Sequence, residues 1–264
     1  MRRIHLIVEY DGTNYAGWQR QDNAMTVQES LETALTRLTG EIRCVHGASR
    51  TDAGVHALGQ SAHFDTESRI PPDKFAFALN TLLPGDIRVT RSEEVSGDFH
   101  ARFSSKGKRY RYLMHVSPHA GALNRLTHAH VIYPLDEAVM RIEAQSLVGT
   151  HDFAAFAASG SVVKDTVRTI YRTDVARNGS EIMLTIEGSG FLYNMVRIIA
   201  GTLLSVGKGK LSPEDIPALF EGRCRADSGM TAPPQGLFLE KIWYDGYGFA
   251  PQDGVPAHIT ERIE

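Results

Sequence analysis

Residues 47–60 read GASRTDAGVHALGQ, which places a carboxylate (Asp52), a guanidinium (Arg50), two hydroxyls (Ser49, Thr51) and an imidazole (His56) among three glycines. Ordinary core has no use for that mixture. Glycines at 47, 54 and 59 permit tight turns or close backbone approach, so Asp52 is expected at the tip of a loop facing a cleft. An aspartate beside a glycine is, taken alone, commonly a turn former whose side chain bonds the backbone two residues on. Here the loop sits between two predicted strands, Ile42 to His46 leading in and Gln60 to Phe64 leading out.

Working outward toward the N-terminus, Ile4 to Glu9 is a short β-rich run ended by the turn pair Asp11-Gly12. Thr26 followed by Glu29 has the spacing of a capping box, and Val27, Leu31, Ala34, Leu35 and Leu38 then recur at helical period until Gly40. After the loop, Pro71-Pro72 opens a helix through Lys74 to Asn80, Pro84-Gly85 closes it, and Ile87 to Val95 reads as a strand. Toward the C-terminus the same logic recurs with other residues. Arg109 to Val116 is a predicted strand, Asp136 caps a helix running to Leu147, and Gly149 ends it. Strands at Thr166 to Ala176 and Glu181 to Glu187 flank the hairpin signal Asn178-Gly179. A helix from about Tyr193 to Val206 stops at Gly207, Ser212-Pro213 starts another, and Leu237 to Tyr244 forms a last strand. Strands and helices alternate without the repeated long crossovers of a parallel sheet. The expected class is therefore α+β, with helices laid on one face of mostly antiparallel strands.

Bulk composition sets the frame for function. A chain of 264 residues, 42% hydrophobic and 22% charged, has the balance of a soluble globular protein with a sizeable core. The opening MRRIHLIVEYDG carries an apolar run too short for a signal peptide or a membrane span. Two cysteines, Cys44 and Cys224, form no CxxC pair, which argues against a disulfide framework or zinc-thiolate site and fits a reducing cytoplasm. A formal net charge of −3 is not that of a typical nucleic-acid binder, yet the charge is unevenly spread. From His100 to Tyr112 the chain reads HARFSSKGKRYRY, with Arg102, Lys106, Lys108, Arg109 and Arg111 and no acid. Those cations are candidates for phosphate contact, interleaved with Phe103, Tyr110 and Tyr112 that could lie against bases; a solvated basic strand face is the plainer alternative.

RTDAGVHALGQ closely resembles the signature of the tRNA pseudouridine synthase A family, in which the aspartate is catalytic. KRYRY (108–112), GFLYNMVRIIAGTL (190–203) and TAPPQGLFLEKIWY (231–244) resemble that family's other three signatures, in the same order along the chain. The resemblance implies two similar α+β halves with an active-site cleft between them, here 1–105 carrying the catalytic loop and 106–264 carrying the base-stacking and arginine motifs. The break at Ser104-Ser105 to Gly107 agrees with that boundary. It further implies isomerisation of uridine to pseudouridine at positions 38, 39 and 40 of the tRNA anticodon stem-loop, by a homodimer with no metal or nucleotide cofactor. Asp52 would then be the catalytic carboxylate, Arg197 its ion-pair partner, Tyr110 the ring against the uracil, and Arg50 the side chain replacing the extruded base.

Other constellations carry less. His128 and His130 form an HxH pair that one strand face could present to a metal, but no further ligand lies at metal spacing. Gly207-Lys208-Gly209-Lys210 follows a helix and lacks the GxxxxGK[ST] spacing, so it reads as a helix stop with solvated lysines. Leu192, Val196, Ile199 and Leu203 mark a buried stripe, with Arg197 beside it as a cation that needs a partner. Two other functions can be weighed. A non-catalytic RNA-binding module would not need RTDAGVH, and an aspartic hydrolase would need a second carboxylate and the order Asp-Thr-Gly, whereas Thr51 precedes Asp52.

Overall fold

Alternation of apolar side chains along Arg2–Tyr10 builds the first strand, with Ile4, Leu6 and Val8 fully buried. In the computed structural model, which describes residues 1–158, 165–212, 214–222 and 224–245, the elements run in chain order as follows. They are β1 (Arg2–Tyr10), α1 (Val27–Thr39), β2 (His46–Gly47), β3 (His56–Thr66), α2 (Phe75–Asn80), β4 (Ile87–Val95), β5 (Ser105–Val116), β6 (Ala129–Val131), α3 (Glu137–Gln145), β7 (Gly149–Asp152), β8 (Val167–Asn178), β9 (Glu181–Gly188), α4 (Met195–Gly207), α5 (Asp215–Leu219) and β10 (Leu237–Tyr244). The described residues divide into two compact units, one made of 1–106 with 238–245, the other spanning Gly107–Leu237. The class is α+β and the pairing mostly antiparallel, as expected.

In the first unit β1 lies between β4 and β3, both antiparallel to it, and β10 adds to β3 in parallel through Phe238 opposite His56. One face of this sheet carries the helices. Ile4 stands opposite Phe64, whose ring meets Phe75 of α2 edge-on at 5.4 Å, and Leu31 and Leu35 of α1 are buried with them. Burial of each such side chain contributes about 1.5–3 kcal/mol. Thr26 caps α1 by accepting the Glu29 amide at 3.3 Å, while the Glu29 carboxylate reaches Arg20 at 3.6 Å. The capping box is thus realised through its threonine half.

The opposite face is polar yet buried. His5 stands opposite His63, both within 2% of full burial, and Ile7 stands opposite Ser61. His5 Nε2 lies 2.6 Å from Ser61 Oγ, the Tyr244 hydroxyl lies 2.7 Å from the same oxygen, and Tyr244 donates to the Ala101 carbonyl at 2.6 Å. The expected strand from Ile42 to His46 is the clearest departure. Only His46–Gly47 pairs, opposite His63 and Ala62, while Ile42 is 91% exposed and the Val45 amide donates to Glu32 Oε1 at 3.0 Å. A side chain from α1 takes the donor that a ladder would have used.

In the second unit the order is β5-β9-β8-β7, all antiparallel, with β6 added to β5 in parallel. Tyr112, Met114, Leu184, Ile186 and Val175 form the buried face. Helix α3 fastens to β8 by side chains, Arg141 Nε donating to the Val175 carbonyl at 2.7 Å and Gln145 Nε2 to that of Thr173 at 3.0 Å. Helix α4 packs against α3 and is buried almost all round, from Met195 to Gly207. The hairpin falls at Gly179-Ser180, one residue beyond the expected pair, since Asn178 still stands opposite Glu181. Of the second helix start, Pro213 lies outside the described residues; Ser212 donates its amide to Asp215 Oδ2 at 2.8 Å just before α5.

Candidate active site

The Asp52 loop leaves β2, turns, and enters β3, and its geometry is set by main-chain contacts. The Ala48 amide donates to the Ser61 carbonyl at 2.8 Å. One residue later the Gln60 side chain takes over as a surrogate peptide, accepting the Ser49 amide at 3.2 Å and donating to the Ser49 carbonyl at 2.6 Å. Val55 donates to the Asp52 carbonyl at 3.1 Å, closing a turn whose third residue, Gly54, holds φ +76°. Asp52 is half-buried at the start of that turn, and Arg50 is exposed.

A second segment, Asp11 to Trp18, braces the loop from the side. Trp18 donates its amide to the Thr51 carbonyl at 3.1 Å, and Gly54 donates to the Tyr15 carbonyl at 3.3 Å. Gly17, at φ +94°, has no room for a Cβ, which would sit 2.4 Å from the Thr51 carbonyl oxygen. The Tyr10 hydroxyl lies 2.7 Å from Thr51 Oγ1, buried. His56 is also part of this brace. Its ring stacks on Phe238 at 4.6 Å and its Nδ1 meets both the Gly12 amide and Asp11 Oδ1 at 3.1 Å. A single ring nitrogen accepts from the amide or donates to the carboxylate, and with either choice it ties the loop to residues 11–12. Tyr15 in turn donates its hydroxyl to Asp86 Oδ1 at 2.6 Å, which anchors the brace to the turn before β4. In the sequence this brace reads only as a strand end and a turn; its signal is a pair of glycines, 12 and 17, with Tyr15 between them and Trp18 directly after the second.

In the second unit three of the sequence motifs converge. Tyr110 on β5 is buried and meets Phe191 edge-on at 5.1 Å, an interaction within GFLYNMVR that the motif alone does not reveal. Arg197, in the first turn of α4, donates from Nε to the Ala232 carbonyl at 2.8 Å and from Nη1 to Asn194 Oδ1 at 3.0 Å. Asn194 itself holds φ +59°, the one left-handed non-glycine among the described residues. Its side chain does not cap the helix and is given to the arginine instead. Such a conformation costs about 1–3 kcal/mol and persists where surrounding structure imposes it. Tyr112 departs from expectation: it is fully buried and donates its hydroxyl to the Pro233 carbonyl at 2.8 Å, so its ring belongs to the core and faces no base.

The basic segment does not form one surface. Period-two alternation on β5 separates Lys106 and Lys108 from Arg109 and Arg111. Arg109 pairs with the buried Glu187 at 2.8 Å, Lys106 meets Asp245 at 3.4 Å, and Arg102 is exposed in the turn before the strand. The HxH pair splits as well, His128 lying 3.6 Å from Glu181 and His130 bonding the Ser117 carbonyl at 2.8 Å. Among the described residues no group of three histidine, cysteine or acidic side chains is arranged to hold a metal ion. The GKGK stretch does stop α4, but Lys208 is not simply solvated: its ammonium lies 3.8 Å from the centre of the Tyr133 ring. Both cysteines are free and exposed, and no helix among the described residues is long and apolar enough to cross a membrane.

Comparison with known proteins follows the same residues. The profile of the family described as tRNA pseudouridine synthase matches residues 6–104 and 144–245, which contain the Asp52 loop, its brace and Arg197, and pass over β5 with Tyr110. The tRNA pseudouridine synthase A of Ruminiclostridium cellulolyticum is 54% identical over 92% of this chain and all of its own length. Those of Acetivibrio thermocellus and Citrifermentans bemidjiense are 52% and 50% identical over 92% of this chain, covering 100% and 98% of their own.

Proposed function

The chain belongs to the tRNA pseudouridine synthase family, isomerases that convert uridine to pseudouridine in tRNA, and from that premise we propose that it modifies uridines 38, 39 and 40 of the anticodon stem-loop with Asp52 as its catalytic carboxylate. The reaction breaks the bond from ribose C1′ to uracil N1 and forms one from C1′ to C5; the C5 proton leaves to solvent and N1 gains one. No electrons are exchanged with an outside acceptor, so no redox partner is required. A nucleophile and a means of turning the base suffice.

The observation that carries the proposal is the bracing of the Asp52 turn by main-chain bonds from Trp18, Gly54 and Val55. A carboxylate at the tip of a loop held from two sides is positioned at little entropic cost when substrate arrives. Extruding the uridine costs a few kcal/mol of lost stacking, which an exposed Arg50 entering the vacated space would offset. Tyr110 is assigned to the extruded uracil and Arg197 to the Asp52 carboxylate, where a planar guanidinium keeps the acid ionised and directed. Arg102, Lys106, Lys108 and Arg111 are assigned to phosphates, with Arg109 committed first to Glu187. The enzyme acts as a homodimer in the cytoplasm, without a nucleotide cofactor.

Tritium release from tRNA labelled at uracil C5 tests the assignment, since the label is lost only when the base is isomerised. The parent releases label in proportion to pseudouridine formed at positions 38–40. Asp52→Asn binds tRNA and folds as the parent does but releases none. Release by Asp52→Asn would remove Asp52 from the mechanism, and modification confined to other positions would remove the site assignment.

A further inference from the structure

Phe103 is 77% exposed and yet rigidly held, and none of the four signatures contains it. Its backbone amide and that of Arg102 converge on His100 Nδ1 at 3.4 and 3.2 Å, while His100 and Ser104 exchange hydrogen bonds of 3.0 and 2.9 Å. The Ala101 amide donates to His63 Nδ1 at 3.1 Å, which pins the turn to the sheet beneath. The Phe103 ring packs at a tilt against the His100 imidazole, centroids 4.4 Å apart, and His100 meets His63 edge-on at 4.7 Å. The Arg102 guanidinium lies over the ring, 5.7 Å from its centre, and is exposed, so that it is placed to meet a phosphate once a base takes the ring face.

Single exposed apolar residues are normal on protein surfaces and need no explanation. Leu123, fully exposed, and Ile42, at 91%, are aliphatic and offer no flat face to a base, while the exposed Phe77 has the Lys74 ammonium 5.3 Å from its ring centre. Phe103 differs from these in having the His100 ring packed against it as well as the exposed Arg102 guanidinium near it, while the other cations of the segment lie along β5, Arg109 and Lys106 being committed to Glu187 and Asp245. An exposed flat ring on a turn held by hydrogen bonds, backed by a second ring and accompanied by an exposed guanidinium, matches the requirements for stacking an unpaired nucleobase whose phosphate is met by the cation. We propose that Phe103, supported by His100 and flanked by Arg102, is a stacking subsite for an unpaired base of the RNA substrate, additional to the base that reacts. The subsite rests on the reading of this chain as an RNA-modifying enzyme.

The test uses the whole protein with Phe103→Ala and Phe103→Trp, and as probes a tRNA transcript, single-stranded oligouridylate and a fully paired RNA duplex. Thermal melts confirm that both variants fold. The native tryptophans, Trp18 and Trp243, are 3% and 1% exposed, so the indole of Phe103→Trp is the one that a ligand can reach. Phe103→Ala weakens tRNA binding by about 5- to 150-fold, the range set by one base–aromatic stack, with an unchanged slope of log Kd against log salt because no charge is removed. Emission of Phe103→Trp is quenched by tRNA and by oligouridylate, and not by the duplex, whose bases are already stacked. Parental affinity in Phe103→Ala together with unquenched emission overturns the subsite, as does equal quenching by duplex and single strand, which places the ring against backbone. Failure of the parent to bind tRNA at all sinks the RNA reading itself, a result distinct from a parent that binds and a Phe103→Ala that binds equally well.

Discussion

Asp52 and Arg197 are held in place by different mixtures of main-chain and side-chain contact. Around Asp52 the support is main chain: Trp18, Gly54 and Val55 bond carbonyls and amides of the loop, and Gly17 lets two backbones meet where no side chain would fit. Around Arg197 one main-chain acceptor, the Ala232 carbonyl, is joined by a side chain under strain, with Asn194 in a left-handed conformation lending its amide oxygen to the guanidinium. A backbone brace tolerates most changes of side chain but not an added Cβ, whereas a side-chain brace fails when one functional group is lost. The two regions therefore break under different substitutions, and the predictions below separate them.

The largest effect is expected at Gly17. A methyl group there would meet the Thr51 carbonyl at 2.4 Å in a backbone at φ +94°, so Gly17→Ala must shift the Thr51–Asp52 peptide or the Trp18 segment. Losses of about 2–4 kcal/mol in stability and about 100-fold or more in single-turnover rate follow from strain at a site where small misplacement is costly. Urea unfolding and single-turnover kinetics measure the two; a variant with parental values would show that the loop is not held by backbone contact. Gln60→Glu tests the surrogate peptide in the same loop. It replaces the donor to the Ser49 carbonyl with an oxygen, buried at 0% exposure, and should cost about 1–3 kcal/mol.

Acid separates the two units next. His5 and His63 are pushed down to about 3, in each case first by burial, then for His5 by the positive neighbours His63 and Arg91 and for His63 by the imidazoles of His100 and His46. A folded pKa below the unfolded value of about 6.5 means that their contribution is complete above that pH and is lost as pH falls toward 3, at about 1.4 kcal/mol per pH unit for each imidazole. Glu143 in the second unit runs the other way: burial, then Glu214, raise it, so its charge costs stability at neutral pH and that cost is relieved on acidification. Both tryptophans, Trp18 and Trp243, lie in the first unit. Tryptophan emission should accordingly report unfolding at higher pH than far-ultraviolet dichroism does. His63→Asn, whose amide oxygen can accept from Ala101 in place of Nδ1, should move the emission midpoint to lower pH. Coincident midpoints for the two signals would mean that the units respond to acid as one.

Much of the fold was legible because local rules decide it. Apolar alternation at its start sets Ile87–Val95, two apolar runs either side of Glu240-Lys241 set Leu237–Tyr244, and Thr26 with Gly40 brackets α1, as the sequence alone suggests. The Ile42 to His46 strand failed because a β-rich composition does not say who supplies the hydrogen-bond partner, and Glu32, distant in sequence, took the Val45 amide. Strands β6 and β7 were missed because they are three and four residues long and owe their existence to β5 and β8. At the site the motifs named the reacting groups but not what holds them. Nothing local in DGTNYAGW announces that Gly17 will face Thr51, and nothing in GFLYNMVR says that Asn194 adopts φ +59°. Tyr112 shows the converse, an aromatic in a basic motif that packing claims for the core.

The smallest expected change in stability, and the sharpest contrast with Gly17, is at Asn194. Glycine is the residue that the left-handed conformation at φ +59° favours, and it is also tolerated at a helix N-cap, so Asn194→Gly relieves strain while deleting a side chain that does not cap the helix. Its stability should lie within about 1 kcal/mol of the parent, on either side. Arg197 keeps the Ala232 carbonyl but loses the Asn194 oxygen, so its guanidinium is held at Nε and no longer fixed at Nη1 by this partner. Loosening of the group assigned to direct the Asp52 carboxylate should lower the single-turnover rate by about 10-fold, one charge-assisted hydrogen bond, with little change in tRNA affinity. Asn194→Asp keeps an acceptor and tolerates the left-handed backbone, so it should recover most of that rate. The measurements are the urea midpoint, the tRNA Kd and the single-turnover rate for the three proteins. If Asn194→Gly loses stability in proportion to rate, or if Asn194→Asp recovers neither, then Asn194 serves the helix end alone, and the side-chain brace around Arg197 is no different in kind from the backbone brace around Asp52.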